Sequence, residues 1–148
     1  YPIVDLEKNK IGVKDFVHGL EEIMKRTAAD LGIDADRDER NHGIWVKNSK
    51  IGSVGISIKK GISFHGLAMN INTDLEPFSW INPCGLANVS ITSIKKEMAE
   101  SESGSDSKDY TISMDQIKIG FLKHFSSVFN YKKTDLKSAT RAGDLIIS

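Results

Sequence analysis

Two consecutive runs, Lys50 to Ile58 and Ile62 to Asn72, constrain the fold of this chain more than any other feature. Only Lys59-Lys60-Gly61 separates them, so the spacing predicts neighbouring antiparallel strands joined by a tight turn. Ile44-Trp45-Val46 precedes the first run across a turn at Lys47-Asn48-Ser49, which extends the pair to a three-stranded meander. Gly52, Gly55, Gly66 and Ala68 interrupt these strands with minimal side chains. Glycine inside a strand weakens it, and its presence marks a bulge, a packing notch or the close approach of a backbone or ligand. The residues alone leave those options open.

Helical periodicity surrounds the meander. Val13, Phe16, Val17, Leu20, Ile23, Met24, Thr27, Ala28 and Leu31 recur at steps of three and four, predicting an amphipathic helix stopped by Gly32. Lys14, Asp15, His18, Glu21, Glu22, Lys25 and Arg26 are assigned to its solvent face. Ser113-Met114-Asp115-Gln116 has the form of a capping box and opens a helix expected to bury Ile117, Phe121, Leu122, Phe125, Val128 and Phe129. Tyr1 to Leu6 suits a short buried strand. Thr73 to Ile81 is expected to form a capped helical turn with Phe78, Trp80 and Ile81 facing inward. Ile91-Thr92-Ser93-Ile94 leads into a short charged helix ending near Glu100. Ser101 to Asp109 has linker composition, and the tail from Tyr131 ends on the strand-like Leu145-Ile146-Ile147. The charged run Asp34 to His42 lacks periodicity and is expected to be a solvated loop; its aspartates and histidine are not spaced along one face as metal ligands would be.

Composition narrows the function classes. The chain has 148 residues, 39% of them hydrophobic and 27% charged, enough for one domain with a modest core. Lysine plus arginine and aspartate plus glutamate both number 20, so no basic field points to nucleic acid. No apolar run approaches the ~18 residues of a membrane span. The chain opens on Tyr1-Pro2 rather than methionine, and the expectation is a domain incomplete at its N-terminus.

Cys84 is the single cysteine, so it has no internal disulfide partner, which suits a reducing compartment such as the cytoplasm. Pro83-Cys84-Gly85 implies a turn that can present the thiol to a ligand. By itself a lone thiol is more often a small buried hydrophobe than a catalytic group. Lys50, at the start of its strand, can by the same logic simply solvate the hairpin turn.

Three blocks taken together resemble a known family. Ser49-Lys50-Ile51-Gly52-Ser53-Val54-Gly55, Phe64-His65-Gly66-Leu67-Ala68-Met69-Asn70-Ile71-Asn72 and Asn82-Pro83-Cys84-Gly85 follow the order and spacing of the octanoyltransferases of lipoate synthesis, the lipoate-protein ligase B family. The resemblance covers roughly Tyr1 to Phe129 and lacks the family's leading Arg-Gly-Gly segment, which there supplies part of the acyl pocket. It implies an α+β fold, a mixed or antiparallel sheet flanked by helices, like the catalytic domain of the lipoate and biotin protein ligases. It implies Cys84 as the acyl-thioester nucleophile and Lys50 as the catalytic lysine, with Ser53, Val54, Gly55, Gly66, Leu67 and Ala68 as substrate contacts. His65 is left between an orienting role and a structural one. The implied donor is octanoyl-acyl carrier protein. The implied acceptors are lipoyl domains of 2-oxoacid dehydrogenase complexes and the glycine cleavage H protein. The implied reaction needs no cofactor, metal or nucleotide. Two other outcomes stay open: a non-catalytic piece that only binds carrier domains, and an ATP-dependent lipoate ligase.

Overall fold

The computed structural model describes residues 1–82, 89–101, 111–131 and the backbone of 145–146. The meander forms as the spacing predicts. Strands β2 (Gly43–Val46), β3 (Ser49–Lys59) and β4 (Ile62–Met69) lie side by side, antiparallel throughout. Lys60 and Gly61 turn the chain from β3 to β4 with φ of 51° and 76°. Both central residues are therefore left-handed, the geometry that matches the twist of the flanking strands. A short β1 (Pro2–Ile3) and the residues after it run beside β4, where Asp5 bridges Ile62. Here the structure describes a strand shorter than the six residues expected, although Val4 and Leu6 are buried as that expectation requires. β6 (Leu145–Ile146) pairs in parallel with β1.

Ser63 fastens the N-terminal segment to β4. Fully buried, its hydroxyl donates to the Pro2 carbonyl and accepts from the Val4 N–H, both at 2.9 Å. Ser63→Ala leaves both backbone groups without that partner, and a buried unsatisfied group costs about 1–3 kcal/mol. The expected result is a loss of about 2 kcal/mol in a urea unfolding curve.

Helix α1 (Val13–Asp30) crosses one face of the sheet, and α3 (Met114–Val128) packs against it. The Ser113 hydroxyl accepts from the Gln116 N–H, the cap foreseen in the sequence. Contact between the two helices is close because α1 carries Gly19 there: a Cβ at that position would lie 2.3 Å from the Phe129 ring. Two apolar clusters fill the interior. Val4, Leu6, Phe16, Leu20, Ile23 and Phe125 form one. The other joins Met24 and Ala28 of α1 to Ile44, Ile51, Ile71, Ile94 and Ile117.

Three expectations are corrected. Glu21, assigned to the solvent face of α1, is 3% exposed. It lies 3.2 Å from Arg37 Nε and 3.1 Å from His42 Nδ1, and accepts from the Gly43 N–H at 3.0 Å. These partners come from the charged loop, which folds back on the helix and makes burial of the carboxylate tolerable. Second, Trp80 and Ile81 do not face inward: they are 74% and 60% exposed, on and just after a 3-10 turn (Glu76–Trp80) that buries none of its residues. A single tight turn has no continuous face to dock. Third, His124 of α3, absent from the expected buried set, is buried with Nε2 2.7 Å from Asp30 at the end of α1.

The helix foreseen to end near Glu100 is α2 (Ile94–Ser101), with Ser93 accepting from the Lys96 N–H at its start. Just before it, β5 (Ser90–Ile91) pairs in parallel with Ser49 and Lys50 of β3. β2 occupies one edge of β3 at those residues, so β5 lies along the other, the edge β4 takes up from Gly52 onward.

Candidate active site

A one-residue irregularity aims Lys50. β2 and β3 pair as Ile44 with Gly52 and then Trp45 with Lys50, so Ile51 is the extra residue of a bulge. Strict alternation would give Lys50 and Gly52 the same face, and a bulge resets it. Gly52 faces α1, where a Cβ would lie 2.8 Å from Met24 Sδ. Lys50 instead runs beside Trp45 and past Gly43, with its ammonium 5.4 Å from the Trp45 ring. Its exposure is 1%, so it does not solvate the hairpin turn. The amine donates to Asn41 Oδ1 at 2.8 Å.

The loop expected to be merely solvated builds this surround. Arg40 lies over the Trp45 ring at 4.2 Å, within cation–π range, and Asp38 accepts from Arg40 Nε at 2.6 Å. The Arg40 side chain, then its backbone N–H, hold the Asp38 carboxyl down from an ordinary 3.8 to about 2. A depressed folded value contributes stability that is fully present above the unfolded value and is lost as pH falls through about 2. Carbon-detected titration is expected to find the Asp38 midpoint near 2, and Arg40→Ala is expected to return it toward 3.8. Neighbouring carboxylates follow the same physics: Arg26, aided by Arg37, lowers Glu22, and Lys25 lowers Asp36.

The six predicted substrate contacts form consecutive rungs of one ladder: Ser53 with Ala68, Val54 with Leu67, Gly55 with Gly66. Val54 and Leu67 pack against the apolar clusters. Gly55 and Ala68 are exposed, and a Cβ on Gly55 would meet nothing within 4 Å. Gly66 is a packing notch, since a Cβ there would lie 2.4 Å from Pro2 Cδ. Gly52 and Gly66 are thus packing notches that admit neighbours of this chain, one of the options the sequence left open, whereas Gly55 leaves the surface bare. His65 is exposed, edge-on to Tyr1 at 5.8 Å, with φ of 61°. That left-handed backbone breaks the in-and-out alternation between Ser63 and Gly66, both buried.

Cys84 lies outside the described residues, as do Pro83 and Gly85. The chain that follows it joins the sheet at β5, where Ile91 is the rung opposite Lys50 and the Thr92 N–H donates to the Lys50 carbonyl. A cavity of about 420 Å³, lined by Asp34, Asp36, Arg37, Trp45, Lys47 and Glu97 among others, contains none of the predicted site residues. Among the described residues, no three or more His, Cys, Asp or Glu side chains are grouped to hold a metal ion, and no helix is long and apolar enough to cross a membrane. Sequence reasoning missed Asn41 and Trp45. The only signal for them was their position on either side of the turn into β2.

This sheet with its covering helices is the α+β fold of the biotin and lipoate protein ligases. Biotin protein ligase from Aquifex aeolicus, in its apo structure, superposes with a TM-score of 0.61 at 12% identity over 86% of this chain and 50% of its own. P. falciparum LipL1 in complex with lipoate gives 0.54 at 14% identity over 93% and 35%. The sequence model of the lipoyl protein ligase A/B catalytic domain matches residues 1–126, and the chain belongs to that family. A Desulfotalea psychrophila protein named octanoyltransferase is 57% identical over 99 residues, 66% of this chain and 44% of the relative. Another of that name, from Alkaliphilus metalliredigens, is 39% identical over 132 residues, 88% and 56%. The chain spans about half the length of these relatives.

Proposed function

We propose that this chain is the catalytic portion of an octanoyltransferase, which moves an octanoyl group from acyl carrier protein to a lysine of a lipoyl domain through a thioester on Cys84. Support comes from membership of the lipoyl ligase family and from relatives named octanoyltransferase. The observation that carries the reading within the molecule is Lys50, an amine at 1% exposure that a bulge turns toward Trp45, on the rung opposite Ile91.

In the first step the Cys84 thiolate attacks the donor's thioester carbonyl. The new carbon–sulfur bond forms, the carrier thiolate leaves, and the Lys50 ammonium supplies its proton. In the second step the acceptor amine attacks the acyl-enzyme, Lys50 takes up the proton released, and the Cys84 thiolate departs. Thioester exchange is nearly balanced and amide formation is downhill, so no nucleotide enters. An ammonium near the sulfur favours its reactive, charged form. Beside Gly55, where no side chain blocks the approach, a backbone N–H is suited to a developing oxyanion. The acceptors fitting this chemistry are the lipoyl domains of 2-oxoacid dehydrogenase complexes and the glycine cleavage H protein, in the cytoplasm.

Incubation with octanoyl-acyl carrier protein and intact-mass measurement tests the proposal. The expected product is one octanoyl adduct, lost when lipoyl domain is added. A folded chain without adduct would leave a carrier-binding role. Labelling only with ATP and free acid would make it a ligase.

A further inference from the structure

Resting on that reading, we propose that Asn41 is a positioning residue for the transfer: its side-chain carbonyl fixes the direction in which Lys50 presents its protons. The Lys50 side chain is buried, and Asn41 Oδ1 accepts from its Nζ at 2.8 Å. An ammonium carries three N–H donors in a fixed tetrahedron, so holding one sets the cone on which the others lie. An acceptor that wandered would not do this, and Asn41 is tied down on both sides. Its own backbone carbonyl accepts from Trp45 Nε1 at 3.4 Å. The preceding Arg40 lies over the same indole and is bound to Asp38 through Nε at 2.6 Å and a terminal guanidinium nitrogen at 2.7 Å. The loop, the β2 ring and the Lys50 amine therefore form one unit, with the bulge at Ile51 supplying the angle.

Acid–base chemistry is sensitive to such placement, because a displacement of about 1 Å can reduce a rate about a hundredfold. A neutral amide also accepts from an ammonium and from an amine, so Lys50 stays held while its proton leaves and returns.

The test compares wild type, Asn41→Leu and Asn41→Asp in single-turnover acylation of Cys84 by octanoyl-acyl carrier protein. Reductive methylation of Lys50 with formaldehyde is followed in parallel by peptide mass spectrometry. Asn41→Leu is expected to slow acylation by about a hundredfold per folded molecule at an unchanged half-saturating donor concentration, and to raise the methylation rate of Lys50. Asn41→Asp keeps an acceptor oxygen at the same reach and is expected to stay within about tenfold of wild type, with Lys50 still protected. If Asn41→Leu lowers only the melting temperature, with wild-type rates per folded molecule, positioning is overturned and the transferase reading survives. Wild type without any adduct overturns both. Should Asn41→Leu fail to fold, an Asn41→Asp chain that folds yet acylates as slowly as Lys50→Ala overturns the proposal alone.

Discussion

With Cys84 as the proposed nucleophile, Cys84→Ser is expected to abolish the octanoyl adduct and to lower transfer to a lipoyl domain by roughly a thousandfold or more. A serine hydroxyl is a far weaker nucleophile than a thiolate at neutral pH. Far-ultraviolet dichroism and the melting temperature are expected to match wild type, because the change swaps one atom. Steady-state transfer measured alongside adduct mass distinguishes loss of the nucleophile from loss of donor binding. An adduct persisting on the serine variant would move the covalent step to another residue.

Lys50→Met should separate activity from stability. Its amine is buried, and a buried charge costs desolvation, whereas methionine fills a similar unbranched volume without charge. With Lys50 as the proposed proton carrier, its removal is expected to lower acylation by about 10²–10⁴-fold. The urea midpoint is expected to stay level or rise. A large fall in stability with wild-type rates per folded molecule would make Lys50 a structural residue. The combination of a slower and firmer protein is what a functional amine held in the interior predicts.

Much of the scaffold was legible because local rules and the global fold agree. The two left-handed residues Lys60 and Gly61 sit where the spacing demanded a turn, α1 spans its periodic stripe, and Ser113 caps α3. The failures share a cause, which is that they depend on partners far along the chain. Glu21 is polar by composition and buried only because Arg37, His42 and Gly43 fold back to meet it. Asp34 to His42 shows no periodicity since it is not a regular element, yet it carries Asn41 to Lys50 across nine positions. The bulge at Ile51 is invisible to a two-residue alternation, since it is the departure from it. Trp80 and Ile81 show the opposite limit: hydrophobicity nominates a residue for the interior without providing a neighbour.

The parallel pairing of β5 with β3 has a kinetic corollary. Since the Thr92 amide is bonded to the carbonyl of Lys50 itself, at 2.9 Å, deuterium can replace that proton only when the two strands part. Its exchange lifetime is thus a clock on how often the lysine's own peptide is released from the segment that follows the cysteine, readable in the resting molecule before any acyl group arrives.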